Sequence, residues 1–183
     1  MSHMKQLVNL NLSHNKITVI HGLEGCDSLK TLDISHNFIA KITDCEELKV
    51  LPSLTSLDMR DNHIADKDEL VPFFAEMKFI LALYLKGNPA MRLISNYRRQ
   101  LTGCIPTLYY LDERPILEFE RLMVDANIRG GKEEEERVRA EWAEKTNART
   151  KQNTQFGVKL SEEAKIKRKA TFKKMMADIQ GER

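Results

Sequence analysis

An α/β solenoid, closed by a C-terminal cap and followed by an α-helical extension, is the fold class this sequence predicts. Three observations predict it. Four stretches, at residues 7–20, 29–42, 54–67 and 80–93, follow one template, Leu-x-x-Leu-x-Leu-x-x-Asn, with Ile, Met or a second Leu allowed at the apolar positions. The segments between the copies include the helix-like "TDCEELKVL" and "DKDELVPFFAEM". After the fourth copy, a turn, an amphipathic basic segment, Pro106 and a short apolar run form a unit unlike the four before it.

The asparagines at template position nine, Asn15, Asn37, Asn62 and Asn88, are 22, 25 and 26 residues apart. That spacing falls in the leucine-rich-repeat range of roughly 20–29 residues. Within each copy the apolar residues alternate inward on a short strand, because strand side chains have period two. Each Asn follows its strand where the chain bends, and an amide there can satisfy backbone groups that an apolar residue would leave unpaired. Helical turns should follow, capped at Thr43 or Asp44 and at Asp66 or Asp68. A stack of repeats leaves its terminal core open and needs a lid. An amphipathic helix over residues 91–102, with Leu93, Ile94, Tyr97 and Leu101 on one face, is expected to supply it, followed by a half-repeat at residues 108–112. The opening Met1-Ser2-His3-Met4 reads as a cloning remnant, and the first copy starts directly after it. Further repeats are therefore expected before residue 5. The strand edge at residues 7–12 is expected to be open to self-association.

Template positions three, five and seven line the outer, concave side of the strands. Asp33, Asp58, Arg60, Tyr84, Lys86 and Tyr110 stand there, with Asp112 and Arg114 at the end of the rows. Tyr and Arg are the residue types of interface hot spots. Five strands roughly 4.8 Å apart give a face about 20 Å long. That suits a partner helix or loop rather than a small molecule. The plain alternative is a solvated sheet face whose acidic and basic rows offset each other.

No nucleophile, base and orienting group fall at triad spacing, and no Gly-rich phosphate loop follows a strand. No enzyme activity, cofactor or metal is expected. His14 and His36 share one repeat position, but the third equivalent is Asp61, so they read as turn residues rather than ligands. Lys and Arg total 29 against 27 Asp and Glu, and residues 1–112 carry a net charge of −1. That leaves no footprint for nucleic acid. No apolar run approaches the roughly 18 residues that span a bilayer. The three cysteines, Cys26, Cys45 and Cys104, lack metal-type spacing and read as reduced thiols.

Residues 96–115 contain "NYRRQL…CIPTLYYLDERP". This resembles the cap of one class of leucine-rich-repeat proteins, in which a Tyr-Arg helix precedes Pro-x-Leu-x-x-Leu-Asp. The resemblance assigns Tyr97, Arg98, Pro106, Leu111 and Asp112 to the cap. That class includes phosphatase regulators, a spliceosomal subunit and a dynein light chain. The continuation "IRGGKEEEERVRAEW" at residues 128–142 narrows the match. Together the two stretches resemble the dynein axonemal assembly factor family, over roughly residues 5–145. The resemblance implies a non-enzymatic cytoplasmic factor for assembling the dynein arms of cilia and flagella. Its implied partners are axonemal dynein chains or chaperone-linked assembly factors. A structural axonemal subunit and a phosphatase regulatory subunit are the alternatives.

The sequence divides into residues 1–4, repeats and cap at 5–115, a helical extension at 116–150, and a basic linker and tail at 151–183. In the extension, Ile116, Phe119, Met123 and Ala126 lie on one helical face and Leu117, Val124 and Ile128 on another, so both faces are expected to be covered. Gly130-Gly131 should end that helix. "KEEEER" should open the next, with acid at its positive end. Residues 151–160 read as a polar linker. Ser161 then caps a tail helix with Phe172, Met175, Met176 and Ile179 on one stripe.

Overall fold

The computed structural model describes residues 4–77 and 79–181, with tail side chains through Lys169 and at Thr171. It forms two compact units, Met1–Lys132 and Glu133–Arg183. The first holds a six-stranded sheet in sequence order: β1 (Asn9–Asn11), β2 (Thr31–Asp33), β3 (Ser56–Asp58), β4 (Ala82–Tyr84), β5 (Tyr110–Leu111) and β6 (Arg114–Pro115). The first five strands pair in parallel. Their register aligns Leu10, Leu32, Leu57, Leu83 and Leu111 into one inward column. β6 pairs antiparallel to β5. It ends the sheet on Pro115, which cannot donate to another strand.

The core behind the strands is apolar throughout: Leu29, Leu32, Ile34, Leu57, Leu83 and Leu85 are fully buried. At the first strand the equivalent Leu7, Leu10 and Leu12 are only partly buried. Behind this layer run a 3₁₀ segment (Ile42–Val50), α1 (Lys67–Ala75), α2 (Ala90–Leu93) and α3 (Tyr97–Cys104).

Several expectations need correction. Residues 42–50 form 3₁₀ turns interrupted at Cys45 (φ −122°) rather than an α-helix, and no side chain caps them. Asp66 does occupy the N-cap position of α1, yet its carboxylate accepts the Ile42 N–H of the preceding repeat instead of capping its own helix. The lid is two helices, not one. Asn96 adopts a left-handed conformation (φ 52°) and divides them, a conformation Asn tolerates better than most residues. The division turns Leu93 outward while Ile94 and Leu101 stay buried.

α4 runs from Glu118 to Gly181, with non-helical backbone at Gly130 and Gly131. In its first part Met123, Val124 and Ala126 are buried, but Leu117, just before it, and Ile128 are 63% and 66% exposed, so the second face is covered at Val124 and open at its two ends. Residues 116–132 thereby belong with the repeats. Residues 151–160 are helical rather than a linker. They contain no proline, and extending an existing helix is far easier than nucleating one. Helical backbone already runs through Ser161, so it caps nothing. Glu134–Arg137 and Glu135–Arg139 pairs lace the start of the second unit. The stripe of Phe172, Met175, Met176 and Ile179 lies outside the described side chains.

Candidate functional site: the concave face and its cap

The outward rows of the sheet fall into two halves. In the first, the Asp33 carboxylate accepts hydrogen bonds from Asn11 Nδ2 at 3.2 Å, from the Ser35 hydroxyl at 2.7 Å and from the Ser35 N–H at 3.0 Å. In the second, the side chains form a chain of contacts. Asp58, only 14% exposed, takes the Arg60 guanidinium through Nε and Nη2, the latter at 2.6 Å. Arg60 lies 5.3 Å from the centroid of the Tyr84 ring. Tyr84 in turn meets Tyr110 at 5.7 Å between centroids, tilted by 48°. Beside them Lys86 Nζ pairs with Glu113 at 2.8 Å, both groups in solvent. The Asp58 hydrogen bonds push the Arg60 pKa further up, and burial raises that of Tyr84, so Arg60 stays cationic and Tyr84 neutral. A rigid aromatic pair beside an oriented guanidinium has the chemistry to anchor a protein partner.

Four of the Asn ladder positions carry the loop that follows the strands. Asn37 Nδ2 donates to Leu12 O in the preceding repeat and to Ile34 O and Ser35 O in its own, while its Oδ1 accepts the Ile17 N–H. Asn62 repeats this with Ile34 O, Met59 O and the Ile39 N–H. Asn88 repeats it with Met59 O, Leu85 O and the Ile64 N–H. Asn15 donates to Leu12 O and Ser13 O and is exposed. Each buried Asn is thus a rivet between successive repeats.

The cap ends the ladder by substitution. In earlier repeats the N–H at template position six donates to a backbone carbonyl of the next strand, as Met59 N–H does to Tyr84 O at 2.9 Å. At the last step Asp112 turns left-handed (φ 53°), and its side-chain Oδ1 accepts the Leu85 and Lys86 N–H groups at 2.7 and 2.9 Å. Its Oδ2 accepts the Tyr97 hydroxyl at 2.6 Å. Burial and that carboxylate push the Tyr97 pKa up to about 12, so it remains a donor. Asp112 accordingly leaves the concave row in which its position placed it. Arg114 leaves it too, returning in β6, and Glu113 stands beside Lys86 instead. Arg98 fastens the cap: it donates to Leu111 O, Pro115 O and, at 2.6 Å, to the Glu120 carboxylate. Pro106 is exposed in the turn between α3 and β5.

The family model "Leucine Rich repeats (2 copies)" matches residues 5–44, and "Leucine Rich repeat" matches residues 50–68. These residues carry leucine-rich repeats. The crystal structure of the Drosophila melanogaster SNF/U2A′ complex has the same fold, with a TM-score of 0.60 at 24% identity, over 74% of this chain and 76% of that one. Among curated proteins, the Chlamydomonas reinhardtii "Leucine-rich repeat-containing protein ODA7" is 34% identical over 118 residues, 64% of this chain. Rat and human "Dynein axonemal assembly factor 1" are 33% and 34% identical over 135 and 123 residues. The resemblance read from residues 96–142 is to these same proteins. The chain spans 26%, 20% and 13% of the lengths of the three relatives.

Sequence reasoning passed over several residues of this leucine-rich-repeat site. Glu113 and Glu120 look like surface charges in a string, and only the fold sets them against Lys86 and Arg98. Arg121, in the run "EFERL", donates to Thr102 O and Leu108 O and so ties α4 to the cap. His14 and His36 stack at 4.2 Å, His36 lies 3.5 Å from Asp61, and no metal-holding cluster occurs among the described residues. Cys26 and Cys45 are buried free thiols, and burial pushes the Cys45 pKa up to about 12. No helix among the described residues is long and apolar enough to cross a membrane.

Proposed function

We propose that this chain is the repeat-and-cap part of a non-enzymatic cytoplasmic factor that preassembles axonemal dynein arms. Its concave face holds axonemal dynein chains or chaperone-linked assembly factors during that work. The observation that carries the reading is the 33–34% identity, over 67–74% of the chain, to proteins named dynein axonemal assembly factor 1. The linked Asp58, Arg60, Tyr84 and Tyr110 side chains support protein binding as its means. A small, mixed-charge face suits transient contact better than permanent assembly.

Deleting the gene in a ciliated cell should leave cilia without outer dynein arms and strand the motor heavy chains in the cytoplasm. The full-length protein should restore the arms. Full-length protein with Tyr84→Ala and Arg60→Glu should not, and its capture of dynein chains should fall at least tenfold, roughly 1.4 kcal/mol. Folding should change by less than about 1 kcal/mol, because neither side chain is core. If the protein instead remains in washed axonemes in fixed ratio to the motor while cytoplasmic dynein complexes form normally, a structural-subunit role replaces this one. Full rescue by the folded double variant would remove the concave face from the reading.

Self-association through β1 is a second proposed contact. Leu7, Leu10 and Leu12 are partly exposed where their counterparts in the next repeat are fully buried. The weight-average mass of the chain in sedimentation should rise with concentration, and Val8→Lys, on the exposed edge, should suppress the rise. A single monomeric species throughout would exclude it.

A further inference from the structure

At the end of the concave face next to Tyr84 lies a hollow of about 440 Å³, lined by Arg60, Asp61, Lys86, Gly87, Asn88, Met91, Arg92, Tyr97 and Glu113. Three cations converge on it from three separate segments. Arg60 comes from the end of the third repeat, Lys86 from the fourth and Arg92 from α2. We propose that this hollow receives an oxyanion carried on an acidic protein segment, either an Asp or Glu carboxylate or a phosphoserine, and so sets what the concave face selects. The proposal rests on the reading that this face binds protein.

The donors are prepared for that role. Arg60 is fixed on one side by Asp58 and stacks on Tyr84, and those bonds use Nε and Nη2. Its Nη1 has no acceptor among the described residues. An arginine held in this way loses little freedom when it takes up a further acceptor. Arg92 is exposed, and its guanidinium has no hydrogen-bond or ion-pair partner among the described residues. Among the described residues Lys86 Nζ is engaged only by Glu113, which is 66% exposed, and an ion pair in water gives way readily to a better-placed anion.

Two acids, Asp61 and Glu113, stand on the rim, while Asp58 behind Arg60 and Asp112 behind Lys86 are already taken up by hydrogen bonds of their own. Asp61 lies 3.5 Å from His36 and Glu113 pairs with Lys86, which leaves the Arg92 guanidinium as the lining cation without a partner among the described residues. The concave surface leading to the hollow is the Tyr84–Tyr110 pair, so a matching segment carries an apolar or aromatic residue beside its acid. A carboxylate and a phosphate offer the same recognition chemistry here, the phosphate with more charge and more acceptors.

The test uses fluorescein-labelled peptides of alternating leucine and glutamate, the same peptides with one glutamate replaced by phosphoserine, and a lysine-for-glutamate control. A single-stranded DNA oligonucleotide of equal charge serves as competitor. The acidic peptides should bind and weaken with added salt, the lysine control should not bind, and the phosphoserine form should bind several-fold tighter if phosphate is the better fit. Equal affinity of the two acidic peptides would assign the site to carboxylates.

Arg92→Glu should weaken binding at least tenfold. Glu113→Gln frees Lys86 and should tighten it several-fold, a gain that misfolding cannot mimic. Absence of binding, unchanged affinity in both variants, or equal binding by the lysine control would overturn the proposal. So would full displacement by the oligonucleotide, which would point to nucleic acid instead. None of these peptides carries dynein sequence. Failure here therefore leaves the assembly role standing, and failure of that role in cells leaves this measurement unaffected.

Discussion

Asn62→Ala should cost about 3 kcal/mol of unfolding free energy, seen as a lower urea midpoint at unchanged slope. The amide is 3% exposed and joins two repeats. Its Oδ1 is the acceptor of the buried Ile39 N–H at 3.1 Å, and alanine leaves that donor with nothing to replace it. An orphaned buried donor costs roughly 1–3 kcal/mol by itself. The three carbonyls it serves suffer less, and Arg60 O still accepts the His36 N–H. Ile34 O still accepts from Asn37, and Met59 O still accepts from Asn88. Asn62→Asp should do no better than alanine, because a carboxylate can accept from Ile39 but sets a buried negative charge against the three carbonyl oxygens. Asn15→Ala is the control. The same template residue is exposed there and its carbonyl partners face solvent, so the cost should stay under about 1 kcal/mol. Equal losses at Asn15 and Asn62 would show that the residue acts through its own loop rather than as a rivet between repeats.

What was readable in the sequence is what repeats. The leucine column and the Asn ladder recur at fixed positions, so four copies report one geometry, and the parallel strands follow from it. The concave neighbours Arg60, Tyr84 and Tyr110 were readable for the same reason, since template position converts directly to place. Where the pattern ends, legibility ends too. Asp112 occupies a concave position by count, yet its backbone turns left-handed and its carboxylate becomes the terminal acceptor of the sheet. Arg98–Glu120 and Arg121–Leu108 are contacts between segments without a shared template, and no period announces them. The break at Asn96 falls inside a stretch of sound helical pattern, and pattern alone does not register one residue in the left-handed region. At residues 151–160 polar composition suggests a linker, although nothing in it stops a helix that is already running.

A second column, read from the sequence only as turn residues at one repeat position, shares a backbone conformation rather than a chemistry. His14, His36 and Asp61 have φ of 57°, 54° and 51°, and Gly87, at the same template position, has 89°. The chain needs this left-handed residue to turn out of each strand before the Asn. Gly87 is also crowded. A Cβ there would run into the Asp61 carboxylate and lie 2.9 Å from the Asp61 backbone nitrogen. Gly87→Ala should therefore destabilise the chain by about 2–3 kcal/mol, from left-handed strain of roughly 1–2 kcal/mol and the steric contact together. The carboxylate is on a surface side chain and can swing aside, whereas the backbone nitrogen is held by its hydrogen bond to Lys86 O at 2.9 Å. Adding Asp61→Ala to Gly87→Ala should accordingly recover only the carboxylate's share, leaving a loss of at least about 1 kcal/mol from conformation and backbone contact. Complete recovery in the double variant would mean that side-chain crowding alone keeps glycine at this position. A neutral single variant would mean that the fourth repeat can turn without it.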